Sequence, residues 1–389
     1  MFEATQWSFP TDIWFGTDRA NDLPLACEVL AMNRPLLVTD EGLADLDIIA
    51  RLVAVLQSSS IHTAVFSQVQ GNPTAANVAA GVAAFRSGQH DGVIAVGGGS
   101  ALDVGKTIAL IAPQKLPLWD FVISDTQAPE IAEEHWVPVI ALPTTAGTGS
   151  EVGRAAIILD AATASKKIIY HPSMLPNIVI SDPCLTLGLP ANITAWTGID
   201  AFVHALEAYC SPSFHPLAQG IAVEAMRMIR QWLPIAVADG GNVEARGNML
   251  VAASMGATAF QKGLGSIHAV SHVVGGLYNT HHGLTNAIVL PYGVMQNMDA
   301  IGDRLAYLSR VLELPGGDAQ AFVNFLFDFR LQLNIPENLA GLGVDDARAV
   351  EIGQLAALDP CAASNAMPVT AQDLERLFRA AVSGDLAAL

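Results

Sequence analysis

The sequence predicts a chain of two parts, an α/β N-terminal domain over residues 1–184 and an all-α C-terminal domain over residues 185–389. Three observations carry this expectation. Over the first half, short β-branched runs alternate with alanine-rich amphipathic stretches, the pattern of repeated βα units on a mostly parallel sheet. After about residue 185 such runs become rare and long helical patterns take over. Finally, two strand ends in the first half pass into loops built almost wholly of glycine, threonine and serine.

The elements follow in order. PLLVTD (35–40), HTAVFS (62–67), DGVIAVG (91–97) and WVPVIAL (136–142) read as strands, with helices between them at 42–58, 73–88 and 100–112, where apolar residues recur at i, i+3 and i+4. Strand character continues through RAAIILD (154–160) and NIVISDP (177–183). Helical patterns then occupy 194–209, 216–239, 243–260, 301–311, 317–332, 345–357 and 370–382. The change of character near Pro183–Leu185 sets the expected boundary.

A chain of 389 residues with 51% hydrophobic and 14% charged side chains can bury large cores, which excludes disorder. Its net charge of −18 excludes a generic electrostatic grip on nucleic acid or on an anionic membrane, so the expected partner is a small molecule. Cys27, Cys184, Cys210 and Cys361 lack C-x-x-C spacing, which points away from a thiolate zinc knuckle or a disulfide framework. The N-terminal stretch has no basic-then-apolar leader pattern, and no apolar run of about 18 residues occurs elsewhere, so a cytoplasmic location is expected.

GVIAVGGGSALDVGKTIAL (92–110) is a buried strand, a glycine triplet and a helix opened by Ser100, with Asp103 in capping-box position. Glycines allow backbone N–H groups to approach a ligand, and the helix N-terminus adds partial positive charge, so pyrophosphate suits this loop. ALPTTAGTGSEVGR (141–154) supplies a second loop with small hydroxyls and open amides. Two such loops at parallel strand ends are what a dinucleotide needs. The candidate cofactor residues are Gly97, Gly98, Gly99, Ser100, Asp103, Thr144, Thr145, Thr148 and Ser150, with Lys167 added from the few cations. Asp40 ends an earlier strand, where a carboxylate would bind a ribose 2′-OH and repel a 2′-phosphate, favouring NAD over NADP.

TGIDAFVHALEAY (197–209) sets Asp200 and His204 at i and i+4 on one helical face. SIHAVSHVVGGLYNTHHGLTNA (266–287) adds four imidazoles. In one straight helix His268 and His282 would lie about 21 Å apart, too far to share an ion. Gly275, Gly276, Asn279, Thr280 and Gly283 are placed to break that helix. One carboxylate plus three imidazoles would hold a divalent transition metal and leave room for a substrate oxygen. His272, at i+4 from His268, fits a ligand, an outer partner or a proton carrier.

With these pieces in view, the chain resembles the iron-containing (group III) alcohol dehydrogenase family. The motifs GGGSALDVGK, PTTAGTGSE, GIDAFVHALEAY, GLGSIHAVSH, YNTHHGLTNA and ALDPCAASN recur in order across nearly its full length. The resemblance implies a Rossmann-like N-terminal domain and an all-α C-terminal domain, the dehydroquinate synthase-like or iron-containing alcohol dehydrogenase fold, with the active site in the intervening cleft. It implies metal ligands at Asp200, His204, His268 and His282, and His272 near the nicotinamide. It also implies a homodimer. Departures are Ser271-His272-Val273-Val274-Gly275, where relatives often read A-H-P-L-G, and Lys262, where many carry a small neutral residue. Lys262 is therefore the candidate anchor for an anionic substrate tail.

The expected activity is reversible hydride transfer between NAD and an alcohol, with Fe(II) favoured over Zn(II) as the Lewis acid and His272 relaying the proton. Two alternatives within the fold are a reductase of an anionic aldehyde or keto acid, similar to maleylacetate reductase, and a dehydroquinate synthase-like lyase. A metal-locked NAD sensor is the non-enzymatic one.

Overall fold

The computed structural model describes residues 7–9, 11–123, 128–163 and 165–389. The chain divides into two compact units, Pro10–Leu189 and a helical unit that joins Pro190–Leu389 to the first residues of the chain. The boundary therefore falls after Leu189, not after residue 184. Asp182 explains the displacement: it is fully buried in the sheet unit and accepts from the N–H groups of Asp18, Ala20 and Cys184, which ties the turn after the last strand back to that unit. At the other end, Trp7 stacks on His215 at 4.6 Å, within the helical unit.

The sheet unit runs β1 (Asp12–Phe15), α1 (Leu23–Val29), β2 (Leu36–Val38), α2 (Asp47–Ser58), β3 (Ala64–Phe66), α3 (Ala75–Ser87), β4 (Val93–Gly97), α4 (Gly99–Ile111), β5 (Val139–Pro143), β6 (Ala155–Asp160), β7 (Ser165–Tyr170) and β8 (Ile178–Ser181). Six strands form a parallel sheet in the order β1-β8-β5-β4-β2-β3. Alternate residues feed two cores. Leu36, Val38, Val93, Ala95, Val139 and Ala141 point into one core, while Leu37, Ile94, Val96, Ile140, Leu142 and Ile178 point into the other. A sheet apolar on both faces needs helices on both, which is why its strands read as continuous apolar runs.

Besides α1, which the pattern did not mark, two strands differ from the expectation. RAAIILD is β6, but it pairs antiparallel with β7 in a separate hairpin outside the parallel sheet. The strand β1, which the pattern did not predict, pairs with β8 at the sheet edge, where its Ile13 and Phe15 stay exposed.

The helical unit comprises α5 (Ala191–Cys210), α6 (Pro216–Ala238), α7 (Val243–Ala259), α8 (Ser266–Tyr278), α9 (His282–Gln296), α10 (Met298–Val311), α11 (Ala319–Gln332), α12 (Ala349–Ala356) and α13 (Ala371–Ser383). The break expected between His268 and His282 is present and lies at Asn279, whose left-handed backbone (φ 53°) ends α8. Gly275 and Gly276 stay inside α8 and do not turn the chain. Gly283 stays inside α9, where a Cβ would come within 2.6 Å of the Trp196 carbonyl oxygen, so glycine here permits α9 to approach α5 closely.

Candidate functional site

In the sheet unit the two loops meet. β4 ends at Gly97 with φ at +147°, in the region that favours glycine, and α4 begins two residues later. A Cβ on Gly99 would lie 2.7 Å from Thr148 Oγ1, and one on Gly98 would lie 3.3 Å from Thr145 Cγ2. The Thr144 N–H donates to the Gly97 carbonyl at 3.0 Å. The first amides of α4 have no intrahelical acceptor, so they and the half-buried hydroxyls of Thr145 and Thr148 form a surface suited to phosphate oxygens. Asp40 lies beside this loop. Its Oδ1 accepts from the N–H groups of Gly42 and Leu43 at 2.9 and 3.1 Å, and its Oδ2 is turned toward Gly97. Burial raises its pKa, against the opposing pull of those hydrogen bonds.

Three residues counted with the cofactor set, Ser100, Asp103 and Ser150, spend their side chains on other contacts. Ser100 is not the helix cap: its Oγ donates to the Gly71 carbonyl at 2.7 Å, and Gly98 takes the cap position. Asp103 does not close a capping box. Its buried carboxylate accepts from Ser150 Oγ at 2.5 Å and from the Ile157 N–H at 2.8 Å, so Asp103 and Ser150 spend their polar atoms on each other and on β6. Lys167 lies in the β6–β7 hairpin, paired with Ile158. Lys106, which the sequence reading passed over, organises the second loop: its fully buried Nζ donates to the carbonyls of Ser150 (2.9 Å) and Ala155 (2.5 Å) and lies 3.5 Å from Asp103.

In the helical unit, α5, α8 and α9 bring the predicted residues together. Asp200 Oδ1 lies 4.0 Å from His204 Nε2, 3.8 Å from His268 Nε2 and 3.7 Å from His282 Nε2. Adjacent donors around an ion with ~2.1 Å bonds lie about 3.0–3.4 Å apart, so a small inward rotation of the side chains closes the set. Asp200, His204 and His268 are buried, whereas the His282 side chain is 27% exposed and marks the open side. The donor set has no thiolate, as suits a site with a free position for substrate.

The imidazoles are oriented from behind. His268 Nδ1 donates to Glu207 Oε2 at 2.6 Å, which leaves Nε2 as the lone pair facing Asp200. The other oxygen of Glu207 accepts from the Ile267 N–H at 2.8 Å, at the start of α8. Burial opposes a charge on His268, but the Glu207 hydrogen bond and the charges of Glu207, Asp200 and Asp359 outweigh it and raise its pKa. Ser271 Oγ is 3.2 Å from His282 Nδ1. His272 stacks on His282 with ring centroids 5.3 Å apart, and its Nδ1 is bonded to Asp359 Oδ2 at 2.9 Å. Burial would raise the Asp359 pKa, yet the charge and hydrogen bond of His272 hold it below its ordinary value. Glu207, Asp359 and Asn286, which touches three of the ligand candidates, were missing from the sequence reading. Glu207 was the most legible of them, a carboxylate one turn beyond His204 in an otherwise apolar helix.

Lys262 corrects an expectation. It is buried, and its Nζ donates to the carbonyls of Ala208 (2.9 Å), Tyr209 (3.3 Å) and Ser211, capping the C-terminus of α5 beside Arg304. Burial, with the neighbouring Arg304 charge, lowers its pKa to about 8, which still leaves the ammonium protonated at neutral pH. It is therefore a helix cap and is not free to hold a substrate tail.

The chain as a whole is similar to known proteins. The model of the iron-containing alcohol dehydrogenase family matches residues 10–183, and that of the Fe-containing alcohol dehydrogenase family C-terminal domain matches residues 194–382. The 4-hydroxybutyrate dehydrogenase of Cupriavidus necator is 38% identical over 90% of this chain and 93% of its own length. The NAD-dependent methanol dehydrogenase of Bacillus methanolicus is 31% identical over 97% of this chain and all of its own. The crystal structure of a 1,3-propanediol oxidoreductase superposes with a TM-score of 0.92 at 33% identity, covering 97% of this chain and 100% of that one.

Two outcomes test the corrected roles. Lys106→Met is expected to destabilise the sheet unit by about 3 kcal/mol in chemical denaturation, because Asp103 loses its buried counter-charge; unchanged stability would contradict the role. Lys262→Ala is expected to cost about 2 kcal/mol in the helical unit, with KM moving equally for acidic and neutral substrates. A rise confined to acidic substrates would restore the tail-anchor role.

Proposed function

The chain belongs to the iron-containing alcohol dehydrogenase family, a metal-dependent, NAD-linked oxidoreductase interconverting an alcohol with its carbonyl compound, and from that premise we propose its residue roles and substrate class. Asp200, His204, His268 and His282 hold one divalent ion, Fe(II) in preference to Zn(II). The convergence of three imidazole nitrogens within 4.0 Å of one carboxylate oxygen carries this reading. The substrate is a small primary alcohol or its aldehyde, as the names of the three relatives would suggest. Lys262 caps α5 and so lends an anionic substrate no support, although 4-hydroxybutyrate, in the name of one relative, is itself an anion; the two family models leave the lyase and sensor readings without support.

When bound, the ion supplies Lewis acidity toward the substrate oxygen and NAD accepts or returns the hydride. The chain's residues do the rest. The amides opening α4, with Thr144, Thr145 and Thr148, bind pyrophosphate, and Asp40 takes the ribose and disfavours a 2′-phosphate. Glu207 fixes the ring of His268. Asp359 fixes His272 with its proton on Nδ1, which leaves Nε2 to take the substrate proton during alcohol oxidation and return it during reduction.

The four cysteines are free, as suits the reducing cytoplasm in which we place the enzyme, acting as a homodimer. Among the described residues no helix is long and apolar enough to cross a membrane.

Stripping the protein with a chelator under anaerobic conditions is expected to abolish NAD-coupled oxidation of primary alcohols, and Fe(II) to restore it; full activity in stripped protein would refute the reading. Asp359→Asn is expected to lower kcat about 100-fold while KM and metal content hold. An equal loss of metal would make Asp359 a support for the ligand set.

A further inference from the structure

The proposed function leaves one group beside His272 idle, the thiol of Cys361. A ring nitrogen of His272, a carboxylate oxygen of Asp359 and Sγ of Cys361 lie within 4.8 Å of one another, and none of the three belongs to the ligand set of α5, α8 and α9. His272 Nδ1 and Asp359 Oδ2 are 2.9 Å apart, and the other carboxylate oxygen accepts from the Cys361 N–H at 2.8 Å. Cys361 is a free, buried thiol, while the His272 and Asp359 side chains keep 11% and 12% exposure, which leaves the group a way to solvent.

The donor types differ from those around Asp200. One nitrogen, one oxygen and one sulfur make a zinc set, since thiolate is the soft donor that Zn(II) takes more readily than Fe(II). Around a tetrahedral zinc ion with bonds of about 2.0–2.3 Å, ligand atoms lie about 3.3–3.7 Å apart, so Sγ needs a shift of about 1 Å and the fourth position falls to water. Charge favours the same ion. Burial, with the charges of Asp359 and Glu207, pushes the thiol well above its ordinary pKa, so the sulfur keeps its proton until a cation arrives. Zinc with one thiolate and one carboxylate is then neutral, which offsets the burial of the anions and spares an ion at Asp200 any net repulsion. Fe(II), lower in the affinity order, leaves the thiol protonated and this place empty.

We propose that His272, Asp359 and Cys361 form a second, inhibitory site for Zn(II). Binding breaks the S–H bond of Cys361 and releases that proton to solvent. It also takes the Nδ1 lone pair of His272, so the ring proton moves from Nδ1 to Nε2. Nε2 then carries a hydrogen and cannot accept one from the alcohol. Nothing is oxidised or reduced. The inhibition, though not the binding, rests on the relay role proposed above for His272.

The test exposes Fe(II)-loaded protein to Zn(II) under anaerobic conditions, then measures both metals and the NAD-coupled oxidation of a primary alcohol. Wild-type protein is expected to keep its iron, gain one zinc ion and lose kcat about 100-fold, with activity returning on mild chelation. Cys361→Ala is expected to keep ordinary activity without zinc, because the backbone N–H that holds Asp359 remains, and to bind the added zinc about 100-fold more weakly. Co(II) in place of zinc is expected to give wild-type protein a thiolate-to-cobalt charge-transfer band in the near ultraviolet, which the thiolate-free set around Asp200 cannot produce, and this decides the matter if the alanine variant does not fold. Absence of that band, no gain of zinc, or zinc that merely replaces the iron would overturn the site. Inhibition of equal strength in Cys361→Ala would do the same. A second ion that depends on Cys361 yet leaves the rate unchanged would uphold the site and refute the relay.

Discussion

Asp200 Oδ1 is the point on which the helical unit converges. A buried carboxylate is costly unless donors or a cation surround it, and here α5 itself and the consecutive α8 and α9 deliver an imidazole each, with an amide, to within 4.0 Å of one oxygen. A second buried carboxylate, Glu207, lies two turns further along α5 and is answered by His268 and the Ile267 N–H. Two carboxylates in so apolar a helix would be hard to explain by stability alone. They become intelligible when one faces an ion and the other fixes a ring that also faces it.

The segment after α12 then acquires a purpose. Asp359 holds His272, Ser364 Oγ accepts from the Leu264 N–H at 3.1 Å, and Asn365 Oδ1 accepts from the Ser266 N–H at 3.0 Å, so one short stretch grips both the approach to α8 and a histidine on it. Asn365 is itself held by Asn297 at 2.7 Å. The result is a pre-set helix whose two inward histidines cannot wander independently.

Positive charge is used sparingly throughout. With a net charge of −18 the chain has few cations, and its buried ones hold backbone carbonyls: Lys106 on the second loop, Lys262 on α5, Arg246 on Gly240 and Arg330 on Glu337. In the proposed function phosphate binding is therefore left to glycine amides and threonine hydroxyls. The strand, glycine turn and helix were legible in the sequence, as were the alternation of β and α in the first unit and the meeting of Asp200 with three histidines in the second. The clamps were not legible. Asp103 and Ser150 look like ligand contacts in any reading of a glycine-rich loop, and only their mutual distance reveals that they bond each other. Lys262 stood out as a cation available to a substrate, yet the three carbonyls that take up its ammonium come from the end of a helix some fifty residues earlier. Gly275 and Gly276 suggested a helix break, yet Asn279 makes it, because packing tolerates glycine within a buried helix.

The most direct test is anomalous diffraction from crystals of the metal-loaded protein, collected on both sides of the metal's absorption edge. The account predicts a single strong peak per chain bounded by Asp200, His204, His268 and His282. A peak beside His272, Asp359 and Cys361, or no ordered peak in fully active protein, would contradict it.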